Sequence, residues 1–319
     1  MYLSVIIATY NRCENLKEAL RTLYQQENDG TFDYEIIVID NNSKDQTREV
    51  VESFIAKEGL KVRYIFEPIQ GKVYALNTGI THAKGEIVAF TDDDVSVDSK
   101  WVLNIKQCFE KFHCDGCGGR ILPVYPENTP QWLKDNLDIL RGTIVFYDYG
   151  EDVQKYEKSM YEFLGANYAF RKAMFEECGV FRTDLGTGKP PLGEDTEFIS
   201  RLQKHNKKLY YCGKALVWHP VDLKRTRLSF ITKWNVALGR YRVITNERKT
   251  ITPDLVYYFG VPRYLIRDML QNGLALVLNI FNKREFLKRW IMLSRNWGRV
   301  IEFKKTYLNM KAGNSHNVD

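Results

Sequence analysis

Apolar and polar positions alternate in blocks through the first hundred residues. "LSVIIATY" (3–10) is a short run rich in β-branched residues and reads as a buried parallel strand. Asn11 is placed to cap the helix that follows, where Leu16, Ala19, Leu20 and Leu23 keep helical spacing. "YEIIVID" (34–40) is a second buried strand, "NNSKDQT" a turn, and Val50, Val51, Phe54 and Ile55 mark a second helix. "KVRYIFE" (61–67), "VYALNTGITHA" (73–83) and "GEIVAF" (85–90) continue as strand, helix and strand. This order predicts an α/β domain built on a parallel sheet with right-handed crossovers.

The middle of the chain is less regular. Residues 101–112 form an amphipathic helix, followed by a connection rich in glycine and proline. "FLGANYAFRKAMFEECG" holds a strand and then a helix, another helix opens near Glu194, and "LYYCGKALVWHP" is a further strand ended by His219-Pro220. Beyond residue 230 the pattern is helical. "RYLIRDMLQNGLALVLNIF" (263–281) is apolar but interrupted by Arg263, Arg267 and Asp268. In 283–305, Phe286, Trp290, Leu293, Trp297 and Val300 fall on one stripe among many cations.

The fourth strand runs into Asp92, Asp93 and Asp94. Open α/β sheets bind ligands beyond the carboxyl ends of their strands. If the first, second and fourth strands are neighbours, Asp40 and the three aspartates converge beside Thr9, Tyr10 and Asn11. Clustered carboxylates repel unless a cation sits among them, and Mg²⁺ completes such a shell with water and substrate phosphates. A solvated turn that caps the 99–112 helix fits the same residues.

Charge divides the chain. Residues 1–203 carry 23 Lys+Arg against 33 Asp+Glu, and residues 204–319 carry 23 against 7, which together give the net +6. An acidic body with a basic tail suggests a tail that faces phosphates. The six cysteines are scattered, so a reducing cytoplasm with free thiols is expected, although Cys114 and Cys117 have the spacing of half a zinc site. "MYLSVIIATY" has neither the basic lead nor the cleavage site of a signal peptide.

Seven segments occur together and in order: "SVIIATYNR", "IIVIDNNSKDQT", "GKVYALNTGI", "GEIVAFTDDDV", "GANYAFRK", "GEDTEF" and "ALVWHP". Over residues 1–230 the chain thereby resembles the family-two glycosyltransferases of the GT-A fold. The resemblance implies an inverting transferase with a nucleotide-diphosphate sugar donor, a glycan or lipid-linked glycan acceptor, and Mn²⁺ or Mg²⁺. It assigns Thr9, Tyr10, Asn11 and Asp40 to the donor's base and ribose, and Lys72 to the loop that approaches the diphosphate. Asp92 and Asp93 would serve the donor, while Asp94 and His219 would serve the metal. Glu194 and Asn167 would lie on the acceptor side. Asp195 would be the base, although spacing alone favours a first-turn acid that complements the helix dipole. Residues 185–193 form a candidate lid or acceptor loop.

Residues 231–319 then read as a basic helical extension. A cationic helix with tryptophans on its apolar side fits an anionic membrane surface through 282–305, and packing on the catalytic domain or a second subunit is the alternative. No nucleic-acid module accompanies the charge. The expectation is a cytoplasmic protein, peripheral on the inner face of the membrane. The rival functions are a sugar-phosphate nucleotidyltransferase, whose glycine-rich loop is missing from "ATYNRCEN", and a non-catalytic nucleotide-sugar sensor.

Overall fold

The computed structural model describes residues 2–27, 29–57, 61–157, 160–186, 193–245 and 256–314, with side chains through 309. The chain divides into two compact units, one of 1–130, 140–188 and 194–221, the other of 131–139, 189–193 and 222–319.

The first unit carries a nine-stranded sheet: β1 (Leu3–Thr9), β2 (Tyr34–Asp40), β3 (Lys61–Phe66), β4 (Ile87–Asp92), β5 (Ser96–Val97), β6 (Gly116–Val124), β7 (Val153–Lys155), β8 (Asn167–Arg171) and β9 (Leu209–Pro220). The spatial order is β3-β2-β1-β4-β8-β6-β9-β5, and β7 pairs with β9. β2, β1 and β4 lie side by side in parallel, with Thr9 opposite Asp40 and Ala8 opposite Asp92. That register brings the strand ends onto one edge. β8 runs antiparallel to both β4 and β6, and β6 runs parallel to β9, so the longest ladders are parallel. β1, β2 and β4 are buried along almost their whole length, which explains their unbroken apolar runs, while β3 at the sheet edge is only partly buried.

The helices α1 (Cys13–Tyr24), α2 (Thr47–Ile55), α3 (Lys72–His82) and α4 (Trp101–Phe112) turn apolar stripes to this sheet. In α1 the buried residues are Leu16, Ala19, Leu20 and Leu23, the set expected from spacing. Asn11 does not cap α1. The N-cap is Arg12, without a side-chain hydrogen bond, and Asn11 Oδ1 accepts instead from the Lys44 amide at 2.7 Å. Two short helices, α5 (Gln131–Lys134) and α6 (Leu137–Ile144), follow β6, and α7 (Ala173–Cys178) and α8 (Glu194–Lys204) precede β9. All six cysteines are free, and Cys114 and Cys117 are buried core residues.

The second unit contains α9 (Leu228–Thr245), a hairpin of β10 (Tyr257–Tyr258) and β11 (Val261–Pro262), α10 (Arg263–Leu278) and α11 (Lys283–Asn314). α9 and α11 cross at bare backbone. A Cβ on Gly239 would fall 1.9 Å from the Arg295 carbonyl oxygen, and one on Gly298 would fall 2.0 Å from that of Val236. Much of the basic tail is spent inside this unit. Arg240 pairs with Glu302 at 2.8 Å, Arg299 donates to the Tyr264 hydroxyl at 2.8 Å, and Arg284 pairs with Asp138 at 2.7 Å. The stripe expected to face a membrane is largely occupied too. Trp290 stacks with Phe286 and donates to the Thr232 hydroxyl at 2.8 Å, and Val300 is buried, while Trp297 remains half exposed. Periodicity shows that a helix has an apolar side without showing what that side meets.

Candidate active site

The sheet edge is built by the loops that follow β1, β2 and β4. Asp40 Oδ1 accepts from the Ser43 amide at 2.9 Å and Oδ2 from the Tyr64 hydroxyl at 2.8 Å. Burial, reinforced by Asp40, pushes the Tyr64 phenol up to about 12, which keeps it a donor. Asp93 joins strand ends: Oδ2 accepts from the Thr9 hydroxyl at 2.8 Å and Oδ1 from Arg12 Nη1 at 3.1 Å. Burial raises the Asp93 pKa against the opposing pull of Arg12 and Thr9. Thr9 and Asp93 thus hold one another, and the Thr9 side chain is fully enclosed. Tyr10 is exposed beside them.

Asp92, Asp94 and His219 each offer one ligand atom, and these atoms lie within 4.8 Å of one another. The His219 tautomer follows from its partner. Nδ1 lies 2.9 Å from the Pro220 carbonyl oxygen, which only accepts, so Nδ1 carries the proton and Nε2 presents a lone pair. Nε2 faces Asp94 Oδ1 at 3.5 Å. That oxygen is buried and has no hydrogen-bond partner among the described residues. Two facing acceptors around an orphaned carboxylate oxygen fit a divalent cation, with two carboxylates and one imidazole to hold it. The second Asp94 oxygen accepts from Arg12 Nη1 at 3.0 Å, which aims the first at His219.

Lys72 opens α3 and pairs through Nζ with Asp92 Oδ1. Burial opposes its charge, but Asp92 and Glu194 outweigh that and raise its pKa. Its loop is sewn to β2 by Asn41. The Asn41 Oδ1 accepts from the Gly71 amide at 2.7 Å, and Nδ2 donates to the Ile69 carbonyl at 2.7 Å. At the start of α8, Asp195 accepts from the amides of Thr196 at 2.7 Å and Gly165 at 3.2 Å. Burial and the neighbouring Glu194 raise its pKa to about 7, against the pull of the Thr196 amide and Lys72. A Cβ placed on Gly165 would lie 3.7 Å from both Asp195 Oδ2 and Lys72 Nζ, so the two groups flank one small space.

Asn167 is a correction. It is fully buried. Its Oδ1 accepts from Trp101 Nε1 at 2.9 Å, and its Nδ2 donates to the carbonyls of Arg120 at 2.9 Å and Ala215 at 2.7 Å. An amide so committed fastens β8 to α4, β6 and β9 and is not free to meet an acceptor sugar. Of the expected loop 185–193, residues 187–192 lie outside the described residues. Sequence reasoning passed over Arg12 and Asn41. Arg12 stands three residues past the end of β1 and Asn41 one past the end of β2, and that nearness to the suspected strand ends is the available signal.

A mixed sheet whose parallel half ends in an aspartate–histidine cluster, with a lysine and a further carboxylate pair beside it, is the GT-A architecture of a glycosyltransferase. The chain belongs to glycosyl transferase family 2, whose model matches residues 4–179. It is 34% identical over 311 residues to glycosyltransferase AglE of Haloferax volcanii, covering 94% of this chain and 95% of that one. It is 24% identical over 240 residues to the succinoglycan biosynthesis protein ExoM of Rhizobium meliloti, covering 75% and 74%. Among solved structures, the mannosyltransferase PcManGT of Pyrobaculum calidifontis, in complex with GDP-Man and Mn²⁺, superposes with a TM-score of 0.54 at 19% identity, over 98% of this chain and 75% of that one.

Proposed function

We propose that this enzyme is an inverting, metal-dependent glycosyltransferase that moves a sugar from a nucleotide-diphosphate donor to a glycan or lipid-linked glycan during cell-surface polysaccharide synthesis. It would work at the cytoplasmic face as a peripheral protein. The observation that carries the reading is the unsatisfied Asp94 oxygen facing the His219 lone pair beside Asp92.

Asp94 and His219, with Asp92, would hold the cation, which supplies charge stabilisation to the departing diphosphate. Asp40, Tyr10 and Asn11 would meet the base and ribose, with Thr9 and Asp93 bracing that edge. Lys72 adds fixed positive charge for the diphosphate. Asp195 takes the proton of the attacking acceptor hydroxyl as its oxygen bonds to the anomeric carbon. The bond from that carbon to the diphosphate oxygen breaks with its electron pair on the diphosphate. One base and one displacement invert the anomeric centre. Glu194 raises the basicity of Asp195 from the acceptor side.

Nucleotide sugars incubated with Mn²⁺ and acceptor glycans, with the product's anomeric configuration read by NMR, test this. Expected is one donor turned over, inversion, and arrest by chelator. Retained configuration or chelator-insensitive turnover would contradict it.

A further inference from the structure

The outward face of α10 is unlike a solvated helix. Leu270, Leu274, Val277 and Leu278 are 71%, 64%, 67% and 75% exposed, and Phe281 in the turn that follows is 99% exposed. At about 100° per residue the four helical positions fall within an arc of about 100°. Leu265 and Asn272, on the opposite side, are the buried residues of the same helix. A patch of adjacent large apolar side chains is costly to leave in water and marks a docking surface. No described helix is long and apolar enough to cross a membrane.

Charge selects the occupant. Arg263 and Arg267 continue the same face at its N-terminal end, and exposed Lys283 follows its C-terminal end. Arg267 reaches Asp268 only at 4.0 Å, and Arg284 is held by Asp138. Cations at both ends of an apolar stripe match a bilayer with anionic headgroups, where hydrocarbon takes the stripe and phosphates take the ends. A second copy of the same face would set cations against cations or against the stripe. We infer that α10 and the Phe281 turn dock this enzyme onto an anionic lipid surface. This rests on the peripheral placement proposed above and moves it from 282–305 to a defined face.

The test is co-sedimentation of the full chain with phosphatidylcholine vesicles, with and without phosphatidylglycerol. The wild type is expected to bind only the anionic vesicles and to release as salt screens the cations. L274E/F281E alters two exposed positions and is expected to lower binding roughly tenfold or more, with its melting curve unchanged. Metal-dependent donor hydrolysis, read without vesicles, should also be unchanged, so a failure of the transferase reading shows there alone. No binding by the wild type, or equal binding by the variant, would overturn the inference. So would a wild-type dimer that the variant dissolves, which would give the face to a second copy.

Discussion

At Asp195, burial and the adjacent Glu194 act in the same direction, and together they set a carboxyl near neutrality. A base must be unprotonated to accept the acceptor's proton. Turnover at low substrate is therefore expected to hold level above about pH 7 and to fall about tenfold per unit below it. Asp195→Asn keeps the shape but cannot take the proton, so transfer should drop about 10²- to 10⁴-fold with donor affinity preserved. Transfer rate and donor binding measured together separate this from a role at the helix terminus. That role contributes only about 0.3–1 kcal/mol, so transfer within a few-fold of wild type would exclude the base. Arg12 acts by position. It occupies one Asp94 oxygen and leaves the other to face His219.

At the scale of elements, β1, β2 and β4 were legible because each is buried on both faces and so is written as an apolar run, ending at Thr9, Asp40 and Asp92. The helix with Leu16, Leu20 and Leu23 was legible from the same burial. Other features depend on which element lies opposite. Asn167 was expected on the acceptor side from the resemblance, yet its partners come from Trp101, Arg120 and Ala215, far away in sequence. The stripe through Trp290 was visible, but its neighbour α9 was not, because the closest approach is at Gly239 and Gly298, which add nothing to hydrophobic periodicity. Those glycines allow backbone contact, so Gly298→Leu should force the helices apart. Overpacking of this kind costs about 1–3 kcal/mol, read as a lowered melting temperature. An unchanged melting curve would mean that the crossing tolerates a side chain. Gly273, with open space around it, is the control.

At the scale of the molecule, one sheet edge collects residues from across the first unit, from Thr9 to His219, and a separate helical unit carries the exposed apolar face. The switch from acidic to basic composition at residues 203/204 falls inside the first unit, which runs to residue 221, and the second unit also takes in 131–139 and 189–193. The tail's net charge also overstated its reach, since Arg240, Arg284 and Arg299 are bound within the unit. The family could be read from seven short segments, several of which carry the ends of β1, β2, β4 and β9. The central claim is that Asp94 turns this edge into a metal-dependent donor site. Titration calorimetry of the donor, with and without Mn²⁺, on wild type and Asp94→Ala tests it most directly. Wild-type affinity is expected to rise strongly with Mn²⁺, and the variant is expected to remain folded and bind donor equally weakly with or without the ion. Equal gains from Mn²⁺ in both proteins would contradict the account.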